Sequence, residues 1–136
     1  MSEENVEVVR RGLEALNRDD SEELAALSDD DLEIAPATEI GVEGRAHGYR
    51  GKDAWANYFA HAHEVWDEWR IHGAEIVDAD NDWVVAVFRV VARGSGSGAE
   101  VEHSRGIAYK LRDGKILQVQ GYPDPRDALE AVGLRE

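Results

Sequence analysis

Residues 101–122, VEHSRGIAYKLRDGKILQVQGY, carry the densest structural signal in the chain. Two alternating runs flank Asp113-Gly114, the dipeptide favoured in type I′ hairpins, so the stretch predicts two antiparallel strands joined by a tight turn. A regular ladder from that turn pairs Leu111 with Ile116, Tyr109 with Gln118, Ile107 with Gln120 and Arg105 with Tyr122. Side chains alternate along a strand, so all of these would share one face, with His103 further along it. That face is apolar near the turn and hydrogen-bonding away from it. The grading predicts a core that opens into a pocket.

Working outward, the segment before the hairpin, WVVAVFRVVA (83–92), is apolar on both faces, as a central strand covered on each side would be. Further strands are expected over 69–78, 82–93, 100–112 and 115–122, with GSGSG (94–98) as a flexible connection. Upstream, Val6, Val9, Leu13 and Leu16 lie at helical spacing and predict a helix over 3–18. Asp20 and Glu23 resemble a capping box for a second, short helix that carries Leu24 and Leu27 inward and ends in Asp29-Asp30-Asp31. Leu32 to Ala35 reads as a strand stopped by Pro36, and 36–50 as a long loop. Trp55, Phe59, Ala62 and Trp66 share one face of a third helix from Gly51, with Tyr58 and Val65 at its edge. A short helix over 127–132 closes the chain before Gly133. Helices first and antiparallel strands later is the α+β order, with helices on one face of a curved sheet.

Composition narrows the function. The chain has 136 residues, 43% of them hydrophobic, which suits a single domain over 1–136. Acidic side chains number 29 against 15 basic, a formal charge of −14. Such a surface repels phosphate backbones and anionic headgroups, so neither nucleic acid nor membrane is expected as a partner. Cysteine is absent, which removes thiolate chemistry. No signal-like start and no apolar run of roughly 20 residues is visible, so a cytoplasmic location is expected.

With this order of elements, the sequence resembles the nuclear transport factor 2-like superfamily, in particular its SnoaL-like branch. The resemblance rests on VVRRGLEALNRDDSEELAALSDDDLEI (8–34), YRGKDAW (49–55) and YKLRDGKI (109–116), in that order and spacing. It implies a cystatin-like α+β roll, a cone of three helices wrapped by a strongly curved, mostly antiparallel mixed sheet. Members such as ketosteroid isomerases, polyketide cyclases, scytalone dehydratase and limonene epoxide hydrolase place small, mostly apolar ligands in that cone. The isomerase tyrosine and base aspartate, carried over by the resemblance, fall at Gly12 and Ala35, and the acid/base carboxylate of the penultimate strand at Ile107. None of these three can move a proton, so the usual family mechanism is not expected.

The chemistry-bearing candidates are therefore different residues. His103 and Arg105 could act as acid/base and as oxyanion-orienting cation, or could simply be exposed at a strand end. Tyr109, Gln118, Gln120 and Tyr122 could bind a substrate's polar edge, or satisfy one another. Trp55, Tyr58, Phe59 and Trp66, with Ile107, could wall an apolar ligand, although a helical aromatic stripe is more often plain core. Glu33 is expected to be an exposed strand carboxylate. His61 and His63 are two apart, about 200° around a helix, and cannot share one ion. His47 and His72 have no partners in sequence, so no metal is expected, and GSGSG leads into a strand rather than a helix, so no dinucleotide cofactor either. The opposite hairpin face, Gly106, Ala108, Leu117 and Val119, is flat and apolar, with nothing evident to cover it, so a homodimer through that face is expected. The functional expectation is a pocket for a small, mostly apolar, oxygen-bearing molecule, serving isomerase, cyclase or hydrolase chemistry by general acid–base catalysis. The alternatives are a non-catalytic binder and a dimeric interaction module.

Overall fold

The computed structural model describes residues 3–35, 48–78, 82–94, 96 and 98–133. In chain order these form α1 (Glu3–Asn17), α2 (Ser21–Ala26), β1 (Ser28–Ala35), β2 (Tyr49–Arg50), α3 (Ala54–Val65), β3 (Trp66–Asp78), β4 (Trp83–Gly94), β5 (Glu100–Arg112), β6 (Lys115–Tyr122) and α4 (Pro125–Ala131). One curved sheet of six strands runs β2-β1-β6-β5-β4-β3; β1 and β6 are parallel and every other pair is antiparallel. The α+β class matches the expectation, and so does the element order apart from β2, which falls at the end of the stretch read as loop. Residues 36–47 of the loop expected over 36–50, with His47, lie outside the described residues.

Local chemistry sets the boundaries. Asp20 caps α2 by accepting from the Glu23 amide. The acidic run expected to end α2 lies inside β1 instead, where Arg112 of β5 reaches Asp29 and Asp31 at 2.8 and 3.0 Å. Trp66 begins β3 rather than ending α3. Asn17, at the end of α1, both donates to the Ile71 carbonyl and accepts from the Ile71 amide, tying the helix layer to the sheet. Gly48 (φ 69°) is required where the chain re-enters the sheet, because a Cβ there would lie 2.1 Å from the Ile34 carbonyl oxygen.

The helices cover the inner sheet face. Val9, Leu13 and Leu16 of α1 and Leu24 of α2 pack with Val84, Ala86, Phe88 and Val90 of β4 and Tyr109 and Leu111 of β5 in one continuous core. Alternate residues of β4 point outward, and there Val85 joins Ala108 and Ala128 in a small second cluster under α4.

The β5–β6 register departs from the regular ladder. Asp113 (φ 54°) and Gly114 (φ 77°) make the expected turn, and Leu111 pairs with Ile116. Beyond that pair a bulge intervenes, so Lys110 faces Gln118, Tyr109 faces Val119, Ala108 faces Gln120 and Gly106 faces Tyr122. The same region of β6 also meets an irregular stretch of β1, between Ser28 and Glu33. Burial explains the shift. Without it Val119 would face outward and two glutamines would enter the apolar interior, where unpaired amides cost free energy.

The shift also dissolves the face expected to pair two copies. Val119 points into the core and Leu117 occupies the bulge. Ala108 is covered by α4, and Gly106 is approached so closely that a Cβ there would lie 2.7 Å from the Ala128 Cβ.

Candidate functional site

The inner face of β5 changes character along its length. Tyr109 and Leu111, toward the turn, are almost wholly buried. Two and four residues further from the turn, Ile107 and Arg105 border an open recess between the helices and the sheet. Leu16 of α1 and Ile34 and Ala35 of β1 form part of its wall, facing Trp69 of β3 and Phe88 of β4. Trp55 and Tyr58 of α3 cover it, while Val119 and Gly121 of β6 lie beside Ile107. Its empty space, counted out to the open mouth, is about 460 Å³, but water-sized molecules can place their centres in only about 40 Å³ of it. It is a narrow recess, open to solvent on one side, so a ligand larger than a few waters would extend from it into the mouth.

Arg105 is the one charged side chain among those residues. It is half-buried, and its Nε–H donates to Nε2 of His103 at 2.7 Å. An accepting Nε2 carries no proton, which leaves a neutral imidazole with its proton on Nδ1. Burial holds His103 below the usual imidazole pKa, and the neighbouring guanidinium lowers it further. Burial also draws Arg105 down from its ordinary value, with Tyr58 acting in the opposite sense. Among the described residues, no carboxylate lies within ion-pair distance of Arg105.

The expected site residues divide into three groups. Arg105, Ile107 and Trp55 line the recess, with His103 hydrogen-bonded to the first of them. Tyr109 and Phe59 are core; complete burial, with Tyr58 nearby, pushes the Tyr109 phenol above its usual pKa. Gln118, Gln120 and Tyr122 are corrections. The bulge turns them to the outer face, where the Tyr122 hydroxyl donates to Gln120 Oε1 at 2.8 Å and Tyr122 packs beside the α4 cluster. Of the positions carried over by resemblance, Ala35 and Ile107 border the recess, whereas Gly12 lies against Ile116 and Leu24 at the packed end.

Tyr58, expected in the aromatic wall, borders the recess as well. Sequence reading passed over Trp69 and Phe88 as site residues, and it missed a polar pair beside the aromatic cover. The hydroxyl of Tyr49 and Nδ1 of His61 are 2.7 Å apart, and the Tyr49 ring meets Tyr58 edge-on with centroids 5.8 Å apart. Tyr49 opposite Ile34 was hidden because β2 lies inside a stretch read as loop. His63 pairs with Asp19, and Glu33 is half-exposed beside Arg50. Among the described residues, no three His, Asp or Glu side chains gather as a metal site, and no helix is long and apolar enough to cross a membrane.

Comparison with known proteins agrees with this architecture. A family model described as a SnoaL-like domain matches residues 9–119. TerC, co-crystallised with polyporic acid, aligns with a TM-score of 0.77 at 19% identity, covering 95% of this chain and 97% of that one. An NTF2-like protein of Burkholderia xenovorans LB400 gives 0.75 at 25% identity, with 98% of each chain covered. A candidate polyketide cyclase of Xanthomonas campestris pv. campestris gives 0.74 at 18% identity over 96% and 97% of the two chains. Among curated proteins nothing matches. Identities this low speak for the fold and leave the chemistry to individual residues.

Proposed function

The chain belongs to the SnoaL-like domain family, and we propose that it holds a small, mostly apolar, oxygen-bearing molecule in the recess and transforms it by acid–base chemistry. The observation that carries this reading is the single cation, Arg105, set in an otherwise uncharged, aromatic-rich wall. Apolar pockets with few convergent polar groups are the usual form of small-molecule sites. The likeness to TerC, crystallised with an acid, and to a candidate polyketide cyclase supports a ligand of this kind.

The chemistry follows from the pair. A guanidinium hydrogen-bonded to a substrate carbonyl stabilises the negative charge that develops on its oxygen when an adjacent carbon loses a proton. The neutral imidazole of His103 can accept that proton and return it elsewhere, which is isomerisation, or hold it while a carbon–carbon bond closes, which is cyclisation. Nε2 is engaged by Arg105 in the structure. Transfer of the arginine to the substrate oxygen would therefore free the base as the electrophile engages.

A second reading, binding without turnover, draws on one observation: two of the family's proton-moving positions border the recess as Ala35 and Ile107. Thermal-shift screening against steroids, polyketides, terpenoids and aromatic acids supplies ligands, since native-state binding raises stability. A hit that is turned over, with a rate–pH profile following one imidazole and lost in His103→Ala, supports the enzyme. A hit that is bound and never altered supports the binder. Stabilisation that persists when Ile107→Trp fills the recess would sink both.

A further inference from the structure

The surface of this chain is rich in carboxylates, 29 acidic side chains against 15 basic. Every described arginine except Arg70 and Arg105 has an Asp or Glu within ion-pair distance. Arg70 is exposed and donates to the Trp69 carbonyl. Arg105 is half-buried, and its partner is a neutral ring nitrogen. In a chain so acidic, a partly desolvated cation with no counter-charge among the described residues is conspicuous, because burying a charge is costly unless it is paired. His103 satisfies the Nε–H and contributes no charge. The two terminal nitrogens make no hydrogen bond to any described residue. They present the flat fork that matches an oxyanion in a two-pronged contact. The surroundings suit a thin apolar body: Trp55, Tyr58, Trp69 and Phe88 border the same space.

We infer that the recess is selective for a small hydrophobic monoanion whose delocalised oxyanion, a carboxylate in its simplest form, supplies the charge that Arg105 lacks. The inference rests on the small-molecule reading above and narrows it from oxygen-bearing to anionic. A neutral ligand of the same shape would leave the guanidinium unpaired and more deeply desolvated than before binding. An anion converts that cost into a charge-assisted contact.

Titration calorimetry with trans-cinnamate and trans-cinnamamide, matched in shape and different in charge, tests it. Cinnamate is expected to bind at least about tenfold tighter than the amide. Arg105→Met should bring the ratio close to one, and Arg105→Lys, which keeps the charge and loses the fork, should retain part of it. Circular dichroism and melting curves establish that each variant is folded, and the lysine variant carries the comparison should the methionine variant fail to fold. Equal affinity for acid and amide in the unaltered protein overturns the anion selectivity and leaves the small-molecule reading standing. A preference for cinnamate that survives in both variants overturns it as well, because the anion would then be held elsewhere. If neither compound binds at millimolar concentration, the inference falls together with the pocket reading beneath it.

Discussion

The inner face of β5 has two ends that differ in what they are built to do. Toward the turn, Tyr109 and Leu111 meet Ile116 and Leu24 in a solid core. There Trp55 Nε1–H donates to Ser28 Oγ at 3.0 Å, and the serine hydroxyl donates to the Leu24 carbonyl at 2.7 Å. Toward the far end, Ile107 and Arg105 border open space. Both ends belong to one strand and share its neighbours, yet one is spent on stability and the other is free for a ligand. Substitutions at the two ends should therefore separate: those near the turn should unfold the protein, and those near Arg105 should change what it binds.

The most damaging substitution should be Tyr109→Ala, which removes a wholly buried ring and should cost about 3 to 5 kcal/mol in urea denaturation. Next is Ser28→Ala, which strips the buried indole N–H of its acceptor and should cost about 1 to 3 kcal/mol. Adding Trp55→Phe should recover part of that loss, since removing both partners leaves no stranded donor; a strictly additive double variant would show the contact to be inert. Gly106→Ala addresses the outer face of the same strand. A new methyl against Ala128 and Pro125 should cost about 1 to 3 kcal/mol and loosen α4, measurable as faster amide exchange in that helix.

At the open end, Ile107→Trp should shift stability by no more than about 1 kcal/mol while abolishing ligand binding. A loss comparable to that of Tyr109→Ala would erase the distinction between the two ends. The smallest effect should be the pH dependence of His103. Its folded pKa lies below the ordinary value of 6.5. As pH falls through that region, the unfolded chain therefore takes up a proton more readily than the folded one. Stability attached to this group is thus complete above that pH and declines below it. His103→Gln should flatten this part of the stability–pH curve, and Arg105→Met should flatten it less, because burial outweighs the arginine as its cause. Asp20, Asp29 and Asp124 are held below the usual carboxylate pKa, so their contribution persists to lower pH and is lost only as they protonate.

Much of this contrast can be read from residue order. Helical spacing of Val9, Leu13 and Leu16, the Asp20 cap and the Asp113-Gly114 turn are local signals, and each placed its element correctly. The grading of β5 from apolar to polar also located the recess. The partner strand was misread because a bulge is not announced by a turn dipeptide. One trace of it exists: Ile116 and Val119 are both apolar and three apart, a spacing that a regular strand cannot bring to one face. The role of α4 was equally hidden. Nothing in Gly106 or Ala128 alone says that they meet, because that contact forms between elements distant in sequence.

The extra residue in β6 reaches further than its size suggests. Were Leu117 to enter the ladder opposite Lys110, Gln118 and Gln120 would come in line with the interior and Val119 would turn outward, with every element retained and no side chain altered. The chemical character of the hollow is thus written in the register of one strand as well as in the identities of its residues. In this architecture a one-residue slip along one edge of a hairpin can exchange a greasy chamber for an amide-lined one.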